Sequence, residues 1–217
     1  MSVEAYTCFS IVCYENGYIV HDTDSKDCVV VDPGFTWKNF SGFIEKNGLN
    51  APLAALLTHG HADHLGGLNE LKELFPEMKV VISELEAERL TNPARNLSSL
   101  FGNPLTFGEA DFLLTEKQQR LEFGSLLFDA YFTPGHAAGH YIFALPQTSP
   151  LVVLTGDLIF EGSIGRTDYY DGNMTAIVDS ITSIVYHFPD DTILLSGHGN
   201  ATSVGVEAKT NPFVRRV

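Results

Sequence analysis

Short apolar runs and helically spaced apolar residues follow one another along the chain. Runs of about four to eight aliphatic, β-branched or aromatic residues predict strands, whereas apolar residues three or four positions apart predict helices. The predicted strands are 6–14, 18–22, 27–31, 52–57, 79–82, 112–122, 126–133, 141–145, 151–154 and 192–195. The predicted helices are 37–47, 64–75, 83–91, 174–188 and 204–209.

Turn and capping residues separate several of these elements. Asn16-Gly17 predicts a tight turn between the first two strands, and Gly48 is placed to end the helix 37–47. Ser83 followed by Glu86 predicts a capping box at the start of the helix 83–91. The segment 92–111 has no clear period and is predicted to be a long loop, either packed on the surface or serving as a lid.

The alternation of strands and helices predicts an α/β fold with more strands than one doubly wound sheet usually needs. This surplus favours a layered sandwich, with two sheets face to face and helices outside. The length of 217 residues fits one large domain or two small ones. We find no internal repeat, low-complexity tract or linker.

Charge and cysteine usage narrow the classes of function. The net charge of −14 argues against binding to nucleic acid or to an anionic membrane surface. An odd number of cysteines favours a reducing compartment, and we interpret Cys8, Cys13 and Cys28 as inert thiols in strand-like stretches. We recognise neither a signal peptide nor an apolar stretch long enough to span a bilayer, so a cytoplasmic location is expected.

The chemistry is concentrated directly after the predicted strand 52–57. Residues 58–64 read Thr-His-Gly-His-Ala-Asp-His, which places His59, His61, Asp63 and His64 within six positions. Imidazole nitrogen and carboxylate oxygen are ligands that suit zinc and other divalent transition metals. Four polar side chains packed this tightly after an apolar run suit neither a hydrophobic core nor a solvated loop. Binding to a shared metal ion explains why they lie so close together.

Three later residues are candidates to complete the site. His136, Asp157 and His198 each follow a predicted strand and lie beside glycine. Glycine permits the sharp change of direction that turns a short side chain into a site. Each residue also fits a plain turn or cap, and this alternative stays open. His21 and His187 are interpreted as structural, and a structural or supporting role is favoured for His140.

Seven candidate ligands fit two metal ions better than one. Two divalent cations balanced by two carboxylates and a bridging hydroxide leave a small positive excess. That excess could polarise an acyl oxygen, and a pair of ions lowers the pKa of a bridging water toward neutrality. The sequence therefore predicts two divalent ions, taken as zinc with iron or manganese as alternatives, because imidazole and carboxylate suit all three.

The same segments resemble the metallo-β-lactamase superfamily, and most of all the single-domain, glyoxalase II-like hydrolases (hydroxyacylglutathione hydrolase-like). The resemblance extends from residue 29 to residue 213. The segments that carry it are VVVDPG at 29–34, TPGH ending at His136, TGD ending at Asp157, GSIGRTD at 162–168 and GHG around His198.

The resemblance implies a four-layer αββα sandwich of the metallo-β-lactamase type, formed as one domain over residues 1–217. It also implies that Asp63 steers or accepts the proton of the bridging water. It assigns the ligands to two ions, with one residue bridging them. The first ion has His59, His61 and His136, the second has Asp63, His64 and His198, and Asp157 bridges both.

The chain also departs from the family pattern. Two-domain glyoxalase II enzymes add a C-terminal helical domain that contributes basic residues for glutathione, whereas about 20 residues follow His198 here. Ala137-Ala138 and Asn200 replace residues common in the family, which leaves the ligands intact and the substrate open. Arg166 either pairs with Asp168 to shape its loop or helps to bind an anionic substrate.

The favoured function is hydrolysis of a thioester such as S-lactoylglutathione, in which the metal-bridging hydroxide attacks a small-molecule acyl-thiol substrate. One alternative is an oxidoreductase similar to the persulfide dioxygenases, with a single iron on His59, His136 and Asp157. Others are a hydrolase of another ester, lactone, lactam or phosphodiester, and a metal-binding protein without catalysis. The oligomeric state is left undetermined.

Overall fold

The computed structural model describes residues 2–216 and contains two compact units. The first unit comprises the residues up to Thr115 together with Glu122–Leu126, and the second comprises Glu116–Leu121 together with the residues from Leu127 onward. The prediction of a single domain over residues 1–217 stays a prediction. Within residues 2–216, no helix is both long and apolar enough to cross a membrane.

The first unit contains a six-stranded sheet in the order β1-β2-β3-β4-β5-β6. Its strands are β1 Val3–Phe9, β2 Asn16–Asp22, β3 Cys28–Val31, β4 Ala54–Leu56, β5 Lys79–Ser83 and β6 Phe112–Leu114. Its helices are α1 Trp37–Asn47, α2 Ala62–Leu65, α3 Leu68–Leu74 and α4 Ala87–Thr91, with 3₁₀ turns at Glu84–Glu86 and Ser98–Phe101. The strands from β3 to β6 are parallel, so their carboxyl ends share one edge.

The second unit contains a sheet in the order β14-β13-β10-β9-β8-β7 and a small β11-β12 hairpin. The strands are β7 Gln118–Phe123, β8 Leu126–Phe132, β9 Tyr141–Leu145, β10 Val152–Gly156, β11 Ile159–Phe160, β12 Ser163–Ile164, β13 Ile193–Ser196 and β14 Thr202–Ser203. The helices are α5 Met174–Ser183 and α6 Val204–Thr210, with a 3₁₀ turn at Val185–His187. β10 and β13 are parallel neighbours.

Each unit buries its own apolar core beneath its sheet. In the first unit, Ile19, Val30 and Leu57 pack with Phe40 of α1. In the second unit the core includes side chains of β9, β10, β13 and α5, namely Ile142, Val153, Leu194, Ile177 and Ile181. The helical spacing of the apolar residues in α1 and α5 therefore marks the faces that pack on the sheets.

Several predicted elements are confirmed in type, and α1 and β9 also have the predicted ends. Helix α1 has the predicted bounds, and Gly48 follows it with a positive φ of 58°. Strand β9 also has the predicted bounds. The predicted helix 64–75 is divided into α2 and α3 at Gly66-Gly67. Phe35 and Trp37 pack onto these glycines, where a β-carbon would collide with them.

The predicted turn at Asn16-Gly17 is wrong, because both residues lie within β2. The chain reverses earlier, where the Ser10 amide donates to the Glu15 carbonyl. Glycine is needed at position 17 for close packing instead. A β-carbon there would lie 2.3 Å from the Asp32 carbonyl oxygen and 2.6 Å from the Phe40 ring.

Two further predictions failed through long-range pairing. The predicted strand 112–122 is two strands, since β6 pairs with β5 in the first sheet and β7 is the edge strand of the second. The capping box is incomplete: Ser83 accepts the Leu85 amide, while the Glu86 carboxylate accepts the Gly60 amide. The hairpin between β7 and β8 through Gly124 is confirmed.

The cysteines are free thiols. Burial raises the pKa of both Cys8 and Cys28 to about 12, so these thiols stay protonated and unreactive near neutral pH. Burial and then the nearby Asp63 carboxylate raise the pKa of the Cys13 thiol as well. Cys8 and Cys28 lie in strands as predicted, whereas Cys13 lies in the turn before β2.

A pair of glycine substitutions tests the close packing of Gly17 against Asp32 and Phe40. We expect Gly17→Ala to lower the free energy of unfolding by about 1–3 kcal/mol, because the methyl group collides with the Asp32 carbonyl and the Phe40 ring. Gly42→Ala in α1 meets nothing within 4 Å and should raise that free energy by about 0.5–1 kcal/mol. Urea unfolding measures both, and equal effects of the two substitutions would contradict the assigned register.

Candidate metal centre

The first group of candidate ligands lies at the carboxyl end of β4, as predicted. Strand β4 ends at Leu56, and α2 begins at Ala62 directly after His61. The intervening residues turn the chain from the sheet edge into the helix. His59, His61 and His64 are buried, whereas the Asp63 side chain is 29% exposed. Three imidazoles and one carboxylate therefore share a small volume at the sheet edge.

The donor atoms in this group are close together. His59 Nε2 lies 3.0 Å from His61 Nδ1, and Asp63 Oδ2 lies 3.9 Å from His64 Nε2. The ring centroids of His59 and His64 are 4.2 Å apart. Two nitrogens bound to one tetrahedral zinc stand about 3.3 Å apart. The spacing and the donor types thus fit divalent metal ions.

The second group follows three strands of the other unit. His136 comes after β8, Asp157 directly after β10 and His198 after β13. Asp157 Oδ2 lies 3.6 Å from His136 Nε2 and 3.7 Å from His198 Nε2. A carboxylate oxygen close to two imidazoles is consistent with a carboxylate shared by two ions. The combination of both groups on one metal pair stays a prediction.

Asp32 orients part of the first group. Its carboxylate accepts the Thr58 amide at 2.8 Å, the Thr58 hydroxyl at 2.7 Å and His64 Nδ1–H at 3.0 Å. Because Nδ1 of His64 carries the proton, Nε2 presents its lone pair. In the sequence, Asp32-Pro33-Gly34 is typical of a turn and gives no local sign of this role. Asp32 reaches Thr58 because β3 and β4 are parallel neighbours.

Two other histidines are oriented in the same way. The Thr58 hydroxyl donates to Asp32, so at 3.0 Å it accepts from His59 Nδ1–H. His136 Nδ1–H donates to the Arg166 carbonyl at 2.8 Å. The Nε2 atoms of both rings are therefore the metal-binding candidates. The predicted supporting role of His140 agrees with its contact to Thr133, where Nδ1 lies 2.9 Å from the hydroxyl oxygen.

The Arg166 side chain shows the first of its two predicted roles. Its guanidinium forks onto the Asp168 carboxylate at 2.6 and 2.7 Å and lies over the Tyr169 ring. This pairing lowers the pKa of the Asp168 carboxyl to about 2 and raises the pKa of Arg166 further. Both side chains are exposed. A role for Arg166 in substrate binding stays a prediction.

Comparison with known proteins gives consistent results. The Metallo-beta-lactamase superfamily matches residues 11–198. The chain is similar to the probable metallo-hydrolase YqgX of Bacillus subtilis, with 35% identity over 200 residues and 92% of each chain covered. It is also similar to the hydroxyacylglutathione hydrolase GloC of Haemophilus influenzae, with 32% identity over 192 residues, 88% of this chain and 89% of that protein.

Two solved structures share the fold. The BLEG-1 B3 metallo-beta-lactamase matches with a TM-score of 0.89 and 35% identity, covering 97% of this chain and 99% of that one. The protein TTHA1623, solved in a di-iron-bound form, matches with a TM-score of 0.82 and 31% identity, covering 96% and 99%. The predicted α/β fold class, the sandwich of the metallo-β-lactamase type, is confirmed.

The support given by Asp32 leads to a test by metal retention. We expect Asp32→Asn to lower the affinity for one metal ion by about 10- to 100-fold, because asparagine has one acceptor oxygen and its NH₂ group would face a donor on Thr58 or His64. Metal content after dialysis against a chelator measures this loss. Asp129→Asn is the control, since Asp129 pairs with Arg120 away from the candidate ligands. Equal metal retention by the two variants would contradict the assigned role.

Proposed function

The chain belongs to the metallo-β-lactamase superfamily and is a metallo-hydrolase, and from that premise we propose that it uses two metal ions to hydrolyse a small-molecule thioester. The observation that carries this proposal is the Asp157 carboxylate, one oxygen of which lies near both His136 and His198. Such a carboxylate can serve two ions at once. The relative solved in a di-iron-bound form supports two ions per chain.

We assign the seven candidate ligands as the family pattern suggests. His59, His61 and His136 hold the first ion, and Asp63, His64 and His198 hold the second, with Asp157 shared. Both ions are proposed to be zinc, because buried imidazoles dominate the donor set and suit zinc well. Iron and manganese remain the competing choices, since these ligands also suit them.

When bound, a pair of divalent ions supplies a nucleophilic hydroxide near neutral pH and polarises the acyl oxygen. Asp63 is the group placed to accept or steer a proton. Its carboxylate is the partly exposed member of the first group, and solvent can reach it. Asp32, Thr58 and the Arg166 carbonyl fix the imidazole rings, so the ligands need no rearrangement during the reaction.

The proposed substrate is an acyl thioester such as S-lactoylglutathione. Oxygen from water bonds to the acyl carbon, the carbon–sulfur bond breaks, and the products are a carboxylate and a thiol. A thiolate is a good leaving group, so the site needs no strong general acid. Similarity to a hydroxyacylglutathione hydrolase supports this substrate class. Arg166 binds Asp168 through Nε and Nη2, so a contact with an anionic substrate would use its remaining N–H groups.

A second candidate function is hydrolysis of β-lactams. It is favoured by the similarity to a structure described as a B3 metallo-beta-lactamase, at 35% identity across nearly the whole chain. At the same site, water would add to the amide carbonyl of a strained ring and the ring carbon–nitrogen bond would break. An amide nitrogen is a poorer leaving group than a thiolate, so this reaction makes a greater demand on proton donation at the site.

An assay of metal-loaded protein on two substrate panels distinguishes these functions. We expect two metal ions per chain by elemental analysis and a kcat/KM for acyl-glutathione and other acyl-thiol substrates at least about tenfold above that for a chromogenic cephalosporin. A chelator should abolish the activity, and Zn²⁺ should restore it.

Protein that carries two ions yet cleaves no thioester would refute the thioesterase proposal. Faster cleavage of the cephalosporin would favour the lactamase function instead. One iron per chain with oxygen uptake on a persulfide would replace both with the dioxygenase alternative.

A further inference from the structure

The buried carboxylate of Glu86 is hydrogen-bonded to the backbone of the first group of candidate ligands. Glu86 belongs to the 3₁₀ turn after β5 and is fully buried. Its Oε2 accepts the Gly60 amide at 3.0 Å and the Arg89 Nε–H at 2.7 Å. Gly60 is the residue between His59 and His61. The carboxylate is therefore attached to the backbone that carries two candidate ligands of one ion.

Arg89 completes the support from the other side of the carboxylate. It is 2% exposed, and its Nη1 donates to the Arg95 carbonyl at 2.6 Å. Its aliphatic stem lies against Gly60, where an added β-carbon would be 2.5 Å from Cδ and 2.7 Å from Cβ of Arg89. The ligand backbone thus rests on the arginine stem, and only glycine leaves room for it.

Asn96 binds a second backbone amide of the ligand loop, that of Ala62. Its carbonyl accepts the Ala62 amide at 2.9 Å, and its side-chain amide donates to the Arg89 carbonyl at 2.9 Å. Asn96 is itself fully buried. The amides on both sides of His61 are therefore bonded to one connected group of buried residues, which comprises Glu86, Arg89 and Asn96.

We infer that Glu86 and Arg89 are positioning residues for the ion held by His59 and His61. A buried ion pair costs desolvation free energy, and a plain helix start does not require one. This pair directs its carboxylate at the ligand loop instead. The carboxylate that binds His64 is instead that of Asp32, which also reaches His59 through the Thr58 hydroxyl. Of the two ions, the one held by His59 and His61 would therefore be the one that depends on the Glu86–Arg89 pair.

This inference rests on the proposed two-ion function and predicts an effect on one ion only. We expect Glu86→Ala to lower the affinity of one site by about 10- to 100-fold and to leave the other within about threefold. Glu86→Gln should recover most of the loss, because its amide oxygen can still accept the Gly60 amide. Competition between the protein and a chromogenic chelator for Zn²⁺ measures both affinities, and Co²⁺ absorption spectra report each site.

Two further variants keep the test decisive. Arg89→Met retains the stem and removes the guanidinium, so it should weaken the same site even if Glu86→Ala fails to fold. Glu207→Ala is the matched control. Glu207 is also a fully buried carboxylate that accepts a glycine amide, that of Gly162. The Glu207→Ala substitution should lower the free energy of unfolding and leave both metal affinities unchanged.

The outcomes separate this inference from the proposal beneath it. A wild-type protein that binds fewer than two ions would refute the proposed function itself. A wild-type protein that binds two ions, combined with a Glu86→Ala variant that weakens neither site or both equally, would overturn the positioning role alone. The positioning role would also be overturned if Glu207→Ala changed the affinities as much as Glu86→Ala does.

Discussion

The candidate site requires that each buried imidazole keep a hydrogen-bond partner on one of its ring nitrogens. His59, His64 and His136 are almost wholly withdrawn from water, so each ring needs a defined partner for the nitrogen that does not face the site. Asp32, the Thr58 hydroxyl and the Arg166 carbonyl supply those partners. The partners fix the proton on Nδ1 and leave Nε2 to bind. Orientation of the rings is thus built into the fold before any ion arrives.

The supporting residues explain why the fold places its chemistry at these positions. Parallel strands bring β3 and β4 side by side, so Asp32 at the end of one reaches Thr58 at the end of the other. In the second unit, β10 and β13 run parallel and deliver Asp157 and His198 to the same sheet edge. Ligands that are distant in sequence meet because parallel strands end together.

The sequence indicates the candidate ligands more clearly than the residues that orient them, for a physical reason. Residues 58–64 carry an unusual density of metal-type side chains, and no local structure explains that density. Asp32 and Glu86 have ordinary local explanations as a turn and a capping box, and their actual partners lie about 26 positions away. Likewise, the break between α2 and α3 falls at Gly66-Gly67, and helical periodicity does not reveal that Phe35 packs there.

We propose that one pair of ions uses both groups of candidate ligands, and anomalous diffraction from crystals of metal-loaded protein is the direct test. We expect two peaks about 3.5–4 Å apart, one beside His61 and His136 and the other beside His64 and His198, with the Asp157 carboxylate touching both. A single peak, or two peaks that each contact only one of the two ligand groups, would contradict it.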